Sequence, residues 1–254
     1  MTPLSTLMPN SLSGMLPNFS SGSFMLKAEQ LFEGLPPEDT NKILREGATH
    51  VFRKGEIIFR EGGIPTGVFL IKSGKVKKFK TTATGVEQII YICSEGELLG
   101  YHALLSEDRY PDSTAALVTS EITFISKETF LSILSRSSVL SNRLLKLLGL
   151  EFSRFVDSFT NLATKNVRER LAFNLLVLED KFRETGKNDP VDIMLSRTDL
   201  ANMTGTAKET LVRLLKEFKE KNLIQTTSGS VRIINREGII AEANFMGKEN
   251  SGKK

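Results

Sequence analysis

The chain has 254 residues, 40% hydrophobic and 25% charged, with a net charge of +4 and one cysteine. This is the composition of an ordinary folded protein of one large or two medium domains. It excludes an internal disulfide framework and a four-thiolate iron–sulfur site, and no apolar run reaches the ~20 residues of a membrane-spanning helix.

Acidic and basic side chains balance over residues 1–163, so the whole excess of positive charge falls in residues 164–254. A nucleic-acid partner would therefore be met by the C-terminal part. Residues 1–25 carry no charged side chain and lack the basic start of a secretory signal. Their Ser, Pro, Gly and Asn content predicts a flexible tail, and a cytoplasmic location is expected.

"PPEDTNKILREG" predicts a short helix with Pro37 in its first turn. Between Val51 and Ile125, "EIIF", "VFLIKSG", "VKKFKT", "EQIIYIC", "TAALV" and "ITFI" read as short strands separated by glycine turns. Such a pattern predicts an antiparallel β-barrel or sandwich rather than a parallel α/β sheet. The expected effector domain spans residues 26–135. Within it, "GELLGYHALLSEDRYPDSTAA" has the glycine framing of an anion cradle, yet Arg109 stands among Glu97, Glu107, Asp108 and Asp112.

Over residues 136–164 the period becomes helical. Leu145, Leu148, Phe152, Phe155, Phe159 and Leu162 recur at spacings of 3, 4, 3, 4 and 3, a heptad seam expected to join two copies of the chain. Leu144, Leu147 and Val156 lie off that seam, placed to pack on the barrel, and Gly149 is read as a close contact with it.

Residues 165–240 are expected to form a further domain, with 241–254 as a tail. Asn166 and Glu169 predict a capping box before the apolar helix "RLAFNLLVLEDKF", which Gly186 and Pro190 end. In "LSRTDLANMTGTAKETLVRLLKEFKEKNLIQTTSGSVRII", Ser196 caps one helix, Gly205 turns the chain, and Thr206 with Glu209 predicts a second capping box. Leu211, Leu214, Leu215 and Phe218 give the next helix its buried face. The two strands that follow complete a winged helix-turn-helix.

A glycine-punctuated β-domain, a long seam helix and a winged helix-turn-helix together resemble the CRP/FNR family of bacterial transcription regulators, over residues 26–240. The implied fold is α+β, and the implied protein is a homodimer acting on double-stranded DNA, with RNA polymerase as a further partner and no membrane. "KETLVRLLKEFKEKNLI" is similar to the family's recognition helix. Its R-E-T-x-x-R motif places Glu209 on cytosine and Arg213 on guanine, with Lys208 where the first Arg stands. The same Glu209 and Arg213 are spaced for an ordinary i,i+4 salt bridge. Arg197, Thr206, Lys208 and Thr210 are the other expected DNA contacts.

"GELLGYHALL" looks like the family's phosphate-binding cassette. Gly100, Tyr101, His102, Asp112, Ser113, Phe155 and Val156 are the expected effector-pocket residues. The resemblance puts Tyr101 where the family has the Glu that takes a ribose hydroxyl, and Asp112 where it has the Arg that pairs with the cyclic phosphate. Phe155 and Val156 align with the purine-binding hydroxyl pair. Cyclic AMP is thus not the expected effector. The pocket is expected to be apolar, either filled by the protein's own side chains or open to a hydrophobic ligand, and His102 leaves haem as another candidate. No nucleophile, metal-spaced cluster or second catalytic motif accompanies these residues, so no enzyme is expected. The alternative reading is a signal-binding module whose helix-turn-helix contacts protein.

Overall fold

The computed structural model of the chain describes residues 31–183 and 190–244, the side chain of Leu44 excepted. The expected N-terminal tail, the expected break at Gly186, and residues 245–254 lie outside them. Pro37 occupies the first turn of helix α1 (Pro37–Glu46). Strands β1 (Ala48–Phe52), β2 (Ile57–Phe59), β3 (Gly67–Ser73), β4 (Lys75–Thr81), β5 (Glu87–Ser94), β6 (Leu98–Leu99), β7 (Ser113–Ala116) and β8 (Ser120–Ser126) follow, with helix α2 (Tyr101–Leu105) between β6 and β7. They pair as two antiparallel four-stranded sheets, β1-β8-β3-β6 and β2-β7-β4-β5. These sheets do not close on one another, so the barrel expected from the sequence is a loose description.

Period-two alternation decides which side chains enter the space between the sheets. Ile71, Val76, Cys93, Leu99 and Ile122 pack there with Phe59 and Tyr110. In β4 the alternation sends Val76 inward, whereas Phe79 joins a different core on the outer face.

Helix α3 (Lys127–Arg136) is capped by Ser126, and Ser137 caps the 27-residue helix α4 (Ser138–Thr164). Leu140, Leu144 and Leu147 bury against Val68, Leu70, Ile125 and Phe130, with Leu148 half-buried beside them. Val156 does not join that contact; it is 45% exposed. Leu145, Phe152, Phe155, Phe159 and Leu162 form a bare stripe, each at least 53% exposed.

Helix α5 (Val167–Phe182) starts at the expected capping box of Asn166 and Glu169. Helices α6 (Arg197–Thr204) and α7 (Lys208–Glu220) flank Gly205, whose φ of +67° suits a residue without Cβ. Strands β9 (Ile224–Thr226) and β10 (Val231–Ile233) make the wing. Helix α8 (Arg236–Ala243) carries the folded region past residue 240, into the expected tail. Leu171, Leu175, Leu200, Leu211, Leu214 and Phe218 form one core with Phe79, Ile89, Ile92, Ala115 and Leu117 from the outer face of the β4 sheet. The helix-turn-helix unit is thereby docked on the effector domain. Lys77 Nζ fastens the junction, 2.9 Å from Asp199 Oδ1 on α6 and 2.5 Å from Glu87 Oε2.

Gly149 corrects the sequence reading. A Cβ built there meets nothing within 4 Å, so the residue makes no close contact with the sheets. Gly149→Ala is expected to stabilise the fold by about 0.5–1 kcal/mol, through helix propensity alone. Thermal unfolding checks this: a higher midpoint is expected, and a lower one would mean that the position is packed.

Candidate nucleic-acid interface and effector site

Helical periodicity divides α7 into two faces. Leu211, Leu214, Leu215 and Phe218 are buried, whereas Lys208, Glu209, Val212, Arg213 and Lys216 are exposed. The expected Thr206–Glu209 capping box does not form. Ala207 holds the N-cap backbone position, without a side-chain cap, so the helix begins one residue later than the box requires. Thr206 and Thr210 are half-buried at this end of the helix. Arg213 does not pair with Glu209; its Nη1 lies 2.6 Å from Glu217 Oε1.

Arg197 belongs to the wing rather than to a free DNA-facing surface. Its Nη2 donates to the carbonyls of Thr227 at 2.8 Å and Ser230 at 3.3 Å, while Nη1 is enclosed without a partner. Burial lowers its pKa from the ordinary arginine value. Arg197 thus holds the wing turn in the free chain, which departs from the freely exposed cation expected at the reading head.

The effector site departs further from the sequence expectation. Gly100, at φ +78°, opens α2 against the Tyr110 ring, where a Cβ would lie 3.1 Å from Cε1. Ser113 Oγ accepts the Glu61 N–H at 3.0 Å, so it secures the loop after β2. Asp112 Oδ2 lies 3.4 Å from Lys78 Nζ, and both side chains are largely enclosed. Lys78 follows Val76 by two residues in β4 and therefore points inward with it. Burial pulls the Lys78 ammonium down, but the charges of Asp112 and Glu151 outweigh it and leave its pKa raised.

From α4, the residues that reach this interior are Glu151 and Arg154. Phe155 and Val156 are 60% and 45% exposed and do not line it. The Tyr101 hydroxyl is enclosed without a hydrogen bond of good geometry and faces Glu151; burial first, then Glu151, raises its pKa. Burial raises the pKa values of Glu151 and Asp112, against the pull of Lys78. Arg154 Nη1 donates to the Tyr91 hydroxyl at 3.1 Å. Glu97 Oε1 accepts from the Ser94 N–H at 2.9 Å and from Lys181 Nζ of α5 at 2.7 Å. Where an apolar pocket is expected, charged side chains are enclosed instead, with Lys78, Arg154 and Lys181 balanced by Glu97, Asp112 and Glu151.

Asp112 thus lies beside Lys78 at the position where the family resemblance has the phosphate-pairing Arg. A four-thiolate iron–sulfur site lacks donors, because Cys93 is the one cysteine of the chain and is buried.

His102 is half-buried, edge-on to the Tyr101 ring at 5.8 Å. Burial and then Lys78 lower its pKa from 6.5 to about 4. The unfolded chain consequently binds this proton at higher pH than the folded one. Stability linked to His102 is present above pH 6.5 and is lost as pH falls towards 4. The raised carboxyls of Asp112 and Glu151 have the opposite sign, so the difference from a variant isolates His102. Between pH 7.5 and 5, wild type is expected to lose more thermal stability than His102→Gln; parallel losses would contradict a depressed imidazole.

The comparisons with known proteins agree with this architecture. Residues 49–137 match the cyclic nucleotide-binding domain model, and residues 169–241 match the Crp-like helix-turn-helix domain model. The cyclic AMP receptor protein of Thermus thermophilus is 28% identical over 217 residues, covering 85% of this chain and 97% of that protein. The fumarate and nitrate reduction regulatory protein of Yersinia pestis is 28% identical over 188 residues, 74% of this chain and 75% of that one. FixK2 from Bradyrhizobium japonicum superposes with a TM-score of 0.69 at 19% identity, over 77% of this chain and 96% of its own. With both domain models in the order that the fold requires, the chain belongs to the CRP/FNR family of transcription regulators and carries its DNA-binding helix-turn-helix.

Proposed function

We propose that the chain acts as a homodimer that reads an inverted repeat in double-stranded DNA, with an effector domain that does not answer to cyclic AMP. The observation that carries the DNA reading is the outward row of Lys208, Glu209, Val212 and Arg213 on a helix whose opposite face is fixed in the core. Arg213 suits guanine O6 and N7, and Glu209 suits the N4 amino group of the paired cytosine. Thr206, Lys208 and Thr210 flank the uncapped start of α7, where free N–H groups favour phosphate.

The bare stripe of α4 supports self-association. Five large apolar side chains on one helix face leave water only when a second helix covers them. Two-fold pairing there would present two α7 helices to half-sites about one helical turn apart. Family membership supports action at promoters in the cytoplasm, with RNA polymerase as the expected partner. One relative is named for cyclic AMP, but likeness to it is outweighed here by the charge-balanced interior around Lys78.

Selection of bound duplexes from a random pool tests the reading. It should return an inverted repeat with a G·C pair in each half, bound as two chains per duplex by sedimentation. Arg213→Ala should then cost about 1–3 kcal/mol per half-site and relax preference at that pair. Equal affinity of the wild type for selected and scrambled duplexes would contradict it.

A further inference from the structure

The ion pair that Arg213 makes is part of a longer chain of charges. Glu217 stands one turn beyond Arg213 on α7 and is half-buried. Its Oε1 takes Arg213 Nη1 at 2.6 Å, and its Oε2 takes Arg168 Nη2 from the first turn of α5. Arg168 is itself held from two sides. Its guanidinium lies 5.6 Å from the centre of the Phe218 ring, and its Nη1 is 3.5 Å from Glu242 Oε2 on α8. Glu242 Oε1 is in turn 2.6 Å from Lys221 Nζ. A single carboxylate therefore bridges an exposed guanidinium, 64% accessible, to one anchored in the domain.

We infer that Glu217 is a positioning residue for DNA recognition: braced by Arg168, it holds the Arg213 guanidinium in the orientation that reads a base. The inference rests on the assignment of Arg213 as the base reader. Resting Glu217 on Nη1 leaves the Nε–Nη2 edge of Arg213 free, and two parallel N–H donors are what guanine O6 and N7 require. An unbraced arginine on a solvent-facing helix loses rotamer freedom when it docks. Fixing it beforehand removes that cost from binding and leaves wrong bases facing a donor pair that does not adapt to them. The carboxylate also opposes DNA phosphates. Its net effect is thus to weaken contact with any duplex while sharpening contact with the correct one.

That opposition of signs makes the role testable. Glu217→Gln keeps the length of the side chain and one carbonyl acceptor, but it cannot bridge two guanidiniums as a carboxylate does. Affinities of the full chain are measured for the selected operator, for the operator with its guanine replaced, and for scrambled duplex. Arg213→Ala and Arg168→Gln are run in parallel, with thermal unfolding as the check on folding. In Glu217→Gln, discrimination at the guanine should fall about three- to tenfold, the scale of one immobilised side chain, while scrambled duplex binds more tightly. Arg168→Gln should lower the same discrimination, because it frees the other end of the brace.

A rise in affinity for all three duplexes with discrimination intact would overturn the inference, leaving Glu217 only a repulsive charge. Intact discrimination in Arg213→Ala would remove the underlying assignment instead. Loss in Arg213→Ala with no change in Glu217→Gln would remove the brace alone.

Discussion

A lysine ammonium enclosed between two sheets is tolerable only if carboxylates come with it, and much of the effector domain answers that demand. Strand β4 turns Lys78 inward, and the segment before β7 supplies Asp112 at 3.4 Å. Helix α4 supplies Glu151, whose attraction also keeps Lys78 protonated. Removing one member of such a buried pair typically costs about 3–5 kcal/mol, because its partner is left uncompensated. These positions are therefore locked together. On the proposed reading, the protein's own acidic side chains stand where the family's anion would bind.

The same strand also reaches the opposite side. One residue before Lys78, Lys77 points outward and ties Asp199, in the first turn of α6, to Glu87. Glu97 at the start of the cassette receives Lys181 from α5. The outer apolar residues Phe79, Ile89 and Ile92 fill the remainder of the junction with α5 to α8. The buried charges and the docked reading head thus lie on two faces of one sheet. Alternation along β4 assigns adjacent lysines to different tasks, and a register slip would exchange them.

Periodicity carried the elements that repeat. The strands with glycine turns, the exposed apolar stripe of α4, the capping box at Asn166 and the glycine turn between α6 and α7 follow from local pattern. Strand β1 escaped because it is an edge strand whose residues are nearly all exposed, and β6 because two residues show no period. The effector site was misread for a related reason. Leu144, Leu147, Glu151 and Arg154 are spaced 3, 4 and 3, so they continue one inward stripe from apolar into charged residues. The family resemblance points instead to Phe155 and Val156, which are exposed. Val76 and Lys78 carry the same lesson at period two. Arg197 was legible as a cation near the reading head, but only tertiary contact shows that the wing carbonyls claim it.

If Lys78 and its carboxylates fill the cradle, cyclic AMP finds no site there. Titration of the wild-type protein with cyclic AMP at about 100 µM, well above a micromolar dissociation constant, measures this directly when followed by calorimetry and by operator affinity. Neither a heat of binding nor a change in operator affinity is expected. Saturable micromolar binding, with operator affinity shifted in step, would contradict the account.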